Sequence, residues 1–408
     1  MEEKLAEYAR LLVRVGLNVQ KGQHLIVHAP VDCAAFARLC VKEGYEVGAG
    51  LVTVAFSDDF VTRQKFLHAD NAVFDTVPAW QAHLYNDYAE EGCPMLFIAA
   101  SDPQNLAGAE PDRILRSSKA RAAGLAAFRR LETNNGFPWC IASVPIPSWA
   151  KQVFPEKTED EAMAALWDAI FAAVRVQGDG RATERWREHL DTLQRRTQIL
   201  NDMHIASLHY ENSLGTDLVV RLPEKVVWIS GEEHTPAGQV FVANMPTEEI
   251  FTAPLRDGVD GTVVAAMPLV NSGTVIRDFA FRLEKGKIVE VRAKEGEETL
   301  RCAIAVDEGA SHFGEVALIP YHSPIRNQGI LYYETLFDEN ASCHFAFGEA
   351  YPCVEGGSDM TQEQLAQAGL NHSGTHVDFM VGTEDLRITA TLRDGSTRPI
   401  FVDGDFAF

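Results

Sequence analysis

The sequence predicts an α/β protein of two domains: a parallel α/β domain over residues 1–180, then a β-rich α+β domain over residues 181–408 that carries a metal site. Three observations predict it. The chain has 408 residues, more than one hydrophobic core ordinarily organises. Its first part alternates helix-period and strand-like runs, the pattern of a parallel sheet with crossover helices. Beyond His204 the strand-like runs return on themselves as hairpins.

Leu5, Tyr8, Leu12 and Val15 recur at helical spacing. This opening stretch is an amphipathic helix without the apolar core of a signal peptide. A strand is expected at 24–29, a helix at 33–44 and a buried strand at 50–56. Residues 80–91 are helical, 95–99 a strand, 112–131 one long helix rich in Ala, Leu and Arg, and 139–144 a strand. Two long helices, 159–176 and 183–204, flank a turn at 177–181 and lead into the second domain. There 215–222, 226–229, 279–283 and 288–292 read as strands, the last two joined through Lys285-Gly286, a strong hairpin signal.

Composition narrows the function. A formal charge of −22 opposes binding to a phosphate backbone, so no nucleic-acid partner is expected. No apolar run approaches the ~20 residues of a membrane helix. The seven cysteines are scattered and form no C-x-x-C pair, which argues against a disulfide framework and a Cys-rich zinc site and for a cytoplasmic protein. Gly48-Ala49-Gly50 lacks a third glycine and leads into a strand, so it is no dinucleotide fingerprint.

The chemistry-bearing residues lie in the second half. In His376-Val377-Asp378, strand alternation puts the imidazole and the carboxylate on one face, a natural pair of metal ligands. His372 and His376 have helical zinc-ligand spacing, but Gly374 between them and the β-branched residues that follow exclude a helix. Glu248 and Glu249 follow Pro246 at a turn, and either can face a cation. Glu315 and His344 each sit inside an apolar run, where a buried polar group needs a partner. Tyr351 follows shortly. Any one of these is explained by an ordinary hydrogen bond; their number points to a metal site.

These segments, the run from Asn244 to Pro254, Gly314-Glu315, the run from Tyr333 to Ala341 leading to His344, and the run from His376 to Met380, resemble the thermophilic aminopeptidase family in order and spacing. The resemblance implies a homodimeric metallo-aminopeptidase that releases single N-terminal residues from peptide substrates with two divalent cations. Zinc, cobalt, manganese and magnesium are all admissible. It carries the ligand role onto Glu249, Glu315, His344, His376 and Asp378, with Glu315 as the bridge, and places Tyr351 at the metal centre. Glu248 and Glu339 are the candidates for proton transfer. Two competing readings are a two-metal phosphoesterase, which would want more cationic residues nearby, and a non-catalytic family member.

Overall fold

Leu25, Ile26 and Val27 form a continuous apolar run with no exposed surface, as a strand covered on both faces requires. In the computed structural model, which describes residues 1–100, 102, 105–271 and 274–408, they lie in the His24–Pro30 strand, an inner strand of a parallel sheet. Leu51–Ser57 flanks it on one side and Met95–Ala99 on the other, with Trp139–Ser143 next outward. Helices such as Ala34–Glu46 and Ala79–Glu90 make the crossovers.

The chain divides into two compact units, Met1–His189 with Glu232–Pro246, and Leu190–Gly231 with Thr247–Phe408. The division falls inside the helix Ala182–Asp202. The segment Glu232–Pro246, which lies within the expected second domain, is tied to the first unit by its backbone: Val242 N–H donates to the Gly16 carbonyl at 2.7 Å. Its strand Asn244–Met245 extends the parallel sheet beside Trp139–Ser143.

Three expected elements differ. The strand expected to be buried at 50–56 is Leu51–Ser57, at the edge of the sheet and with none of its residues buried. The long helix at 112–131 is two helices, Pro111–Gly124 and Ala126–Thr133, broken at Leu125 (φ −110°, ψ 26°). Gly124 at the break is a poor helix former, and a Cβ there would meet a Val77 methyl at 2.9 Å. The strand at 226–229 shrinks to Ile229–Ser230, with Val226 making only an isolated bridge to Val354. The hairpin is as expected: Thr274–Glu284 pairs with Lys287–Glu295 through Lys285 (φ 49°) and Gly286 (φ 78°), both left-handed as a two-residue turn of this kind demands.

The second unit holds a nine-stranded antiparallel sheet and a five-stranded one. The smaller sheet orders its strands His376–Met380, His344–Gly348, Phe313–Leu318, Ile250–Thr252 and Ile229–Ser230. Val316, Phe345 and Phe379 are in register across it and point into the main core, together with Phe347, Leu318 and Val381. All seven cysteines are free thiols, and among the described residues no helix is long and apolar enough to cross a membrane.

Gly348 ends the His344 strand at φ 110°, and a Cβ there would lie 2.1 Å from the Thr375 carbonyl oxygen. Gly348→Ala should therefore destabilise the protein by about 1–3 kcal/mol in a urea melt, because neither the dihedral nor the close approach tolerates a side chain. An unchanged midpoint would show that this strand end relaxes freely.

Candidate metal centre

Register decides which side chains meet. Glu315 pairs with Ala346, and Ala346 with Asp378; Ala317 pairs with His344 and with Phe251. Side chains alternate along a strand, so Glu315, His344, His376 and Asp378 share the face opposite the phenylalanine core. Glu249, two residues before Phe251, reaches the same face. Ala317 and Ala346 lie between the polar groups, and their small side chains leave room for them.

Two triads result, Glu249–Glu315–His344 and Glu315–His376–Asp378, each with donor atoms within 4.8 Å of one another and a composition able to hold a cation. Glu315 belongs to both. One of its carboxylate oxygens lies 3.5 Å from His344 Nε2 and the other 3.2 Å from His376 Nε2. His344 Nε2 is also 3.5 Å from Glu249, and His376 Nε2 is 3.3 Å from Asp378. Each ring is fixed from behind. His344 Nδ1 faces the carbonyls of Glu339 and Ser342, both at 3.1 Å, and His376 Nδ1 faces the Glu349 carbonyl at 2.8 Å. With Nδ1–H donated to those carbonyls, loss of the second proton would leave each Nε2 lone pair turned toward the site, the tautomer that metal ligation needs.

The electrostatics fit a cation. Burial pushes Glu249 up to about 8, helped by the charges of Glu315 and Asp378. Burial, Asp378 and Glu249 push Glu339 well above the carboxylate range. Burial opposes ionisation of Glu315 too, but hydrogen bonds from His344 and His376 win and bring it to about 2. Burial works against a charged His344, yet Glu315 and Glu249 raise it to about 10. Without a cation, protons alone compensate this crowd of carboxylates. A divalent ion would replace them.

Of two further candidates, one joins the face. The Tyr351 ring packs edge-on against His376 at 5.5 Å and against Phe251 at 5.7 Å. Burial of the phenol end and the charges of Glu315, Asp378, Glu339 and Glu249 hold its proton on, although 44% of the residue is exposed. Glu248 is not drawn into either triad. Its N–H donates to the Asn340 side chain at 2.8 Å and its charge acts on Arg196. Alternation from the Ile250–Thr252 strand thus separates two adjacent glutamates that the sequence alone left equivalent. Sequence reasoning passed over Glu349, whose carbonyl seats His376; a backbone acceptor leaves no residue-type signal.

Residues 1–406 match the family described as thermophilic metalloprotease (M29). The chain belongs to this metallopeptidase family. It is 43% identical to aminopeptidase AmpS of Bacillus subtilis (strain 168), over 100% of this chain and 99% of that protein. It is 40% identical to aminopeptidase 2 of Geobacillus stearothermophilus over 100% of this chain and 98% of that one. Among solved structures, wild-type AmpT from Thermus thermophilus superposes with a TM-score of 0.93 at 38% identity, with both chains fully covered. As an M29 member the protein is a metal-dependent hydrolase, with a parallel α/β part and a β-rich part that holds the carboxylate–histidine cluster.

Because Glu249 at about 8 and His344 at about 10 must lose protons to ligate, protons and metal compete. The affinity of chelator-stripped protein for a divalent cation should rise as pH increases from about 6 to about 8, by up to roughly tenfold per pH unit for each proton displaced. Titration calorimetry in buffers of different ionisation heat checks this. A pH-independent affinity would mean that these groups do not ligate.

Proposed function

We propose that this M29 metallopeptidase is an aminopeptidase that holds two divalent cations, one per triad, and releases single N-terminal residues from peptides. The carrying observation is Glu315, buried, with one carboxylate oxygen turned to each imidazole. Fully ionised, Glu249, Glu315, Glu339 and Asp378 bring the four negative charges that two divalent cations neutralise. Glu249 and His344 would hold one ion, His376 and Asp378 the other, with Glu315 between them. Two imidazoles among the donors favour zinc, cobalt or manganese over magnesium. When bound, the pair supplies Lewis-acid polarisation of the scissile carbonyl and acidifies a water.

The chain's own groups supply the rest. Glu339, which feels the charges of Asp378, Glu249 and Glu315 and would be ionised with the cations bound, is the group poised to take a proton from the attacking water and pass it to the departing amine. Tyr351 keeps its phenol proton and donates it as a hydrogen bond to the oxyanion that forms at the carbonyl carbon. The peptide's free α-amine would ligate one ion or pair with a carboxylate, which an internal peptide bond cannot do; this accounts for exopeptidase action. Glu248 acts on the site indirectly, through its N–H bond to Asn340 next to Glu339. We read the protein as cytoplasmic from its free thiols and as a homodimer from its family resemblance.

Glu315→Gln should lower kcat/KM for an aminoacyl anilide at least about a hundredfold with an unchanged circular dichroism spectrum, since losing a bridge exceeds losing an outer-shell partner. Near-normal turnover would remove Glu315 from the bridge. Exhaustive chelation should silence hydrolysis and added metal restore it; full activity after chelation would contradict the two-ion reading.

A further inference from the structure

In the first unit the chain passes from the His24–Pro30 strand to its neighbour Leu51–Ser57 on one side, then crosses back to Met95–Ala99 on the other. The strand order therefore reverses between His24–Pro30 and Met95–Ala99. In open parallel sheets a crevice forms at such a reversal, outside the carboxyl ends of the strands, and ligands bind there. A cavity of about 440 Å³ occupies this place, lined by the carboxyl-terminal residues of three strands and by helices Ala79–Glu90, Pro111–Gly124 and Ala126–Thr133. That volume suits a small molecule.

The lining is specific in chemistry. His28, 8% exposed, is in register with Phe97 and stacks on it at 4.8 Å, with Tyr85 on its other side at 4.6 Å. Among the described residues its Nε2 has no hydrogen-bond partner, the mark of a site that something else completes. Burial lowers His28 to about 4, so the floor is aromatic and neutral. Phe56 and Trp80, 51% and 69% exposed, extend the aromatic wall to the mouth. Positive charge comes from Arg121, stacked over Tyr85 at 5.1 Å, and Arg129. Among the described residues neither guanidinium forms an ion pair, although the nearby Glu132 feels both charges. In a chain of net charge −22, these two arginines bring positive charge to the side of an aromatic cavity.

We propose that this cavity binds a small aromatic carboxylate, its ring against Phe97 and Trp80 and its carboxylate on Arg121 and Arg129. The inference is independent of the metal centre, which shares no lining residue with the cavity. Guanidinium–carboxylate pairing is the strongest directional contact available there, and stacking selects planar ligands. No glycine-rich turn prepares the site for a dinucleotide.

Titration calorimetry of the metal-loaded full chain tests it, with phenylacetate, its neutral amide and acetate as probes. Phenylacetate should bind saturably, and the amide and acetate at least about tenfold more weakly. Arg121→Ala and Trp80→Ala, both at exposed positions, should each weaken phenylacetate by about tenfold or more, while Glu315→Gln leaves it unchanged. No saturable binding, equal binding of the amide, or binding lost in Glu315→Gln but kept in Arg121→Ala would each overturn the proposal. Anilide hydrolysis by Arg121→Ala, expected at the parent rate, shows separately that the metal centre is intact.

Discussion

One buried carboxylate organises the carboxylate–histidine cluster of the second unit. Glu315 sits in a strand that is buried from end to end, and an isolated charge there would be prohibitive. It is tolerated because two imidazoles approach its two oxygens, and those imidazoles are tolerated because carboxylates on either side share them. Each group is costly alone and supported only by the others. The cluster therefore has to be assembled as a unit, and the sheet is what assembles it.

The same three strands perform two opposite tasks. On one face Val316, Phe345 and Phe379 stack in register to make a dry core, and hydrophobic burial there offsets what the polar face costs. On the other, the alternate positions carry the charges, spaced by Ala317 and Ala346. A one-residue slip in any strand would exchange the faces, so the phenylalanine core fixes the geometry of the candidate metal centre. Rigidity behind the histidines has a similar origin: their Nδ1 atoms are held by backbone carbonyls, which side-chain substitution cannot remove.

Much of this was legible in the sequence for identifiable reasons. His376 and Asp378 are two apart in a strand-like run, and period-two alternation places them together without further information. Isolated polar residues within apolar runs flagged Glu315 and His344. What the sequence withheld was long-range: that residue 315 lies opposite 346, and 346 opposite 378, depends on pairing across segments with no local signature. The choice between Glu248 and Glu249 turned on where the Ile250–Thr252 strand begins. The return of Glu232–Pro246 to the first unit is likewise a tertiary outcome, tied through Gly16, and at the Leu125 break the backbone of Gly124 approaches Val77 too closely for a side chain.

The account stands on Glu315 as a bridge between two cations, and the location of those cations tests it most directly. Crystals loaded with zinc, cobalt or manganese should give two anomalous scattering peaks ~3.5–4 Å apart. The two should flank the Glu315 carboxylate, one nearer His344 and Glu249, the other nearer His376 and Asp378. A single peak at full loading, or a pair that leaves Glu315 uncoordinated, would contradict it.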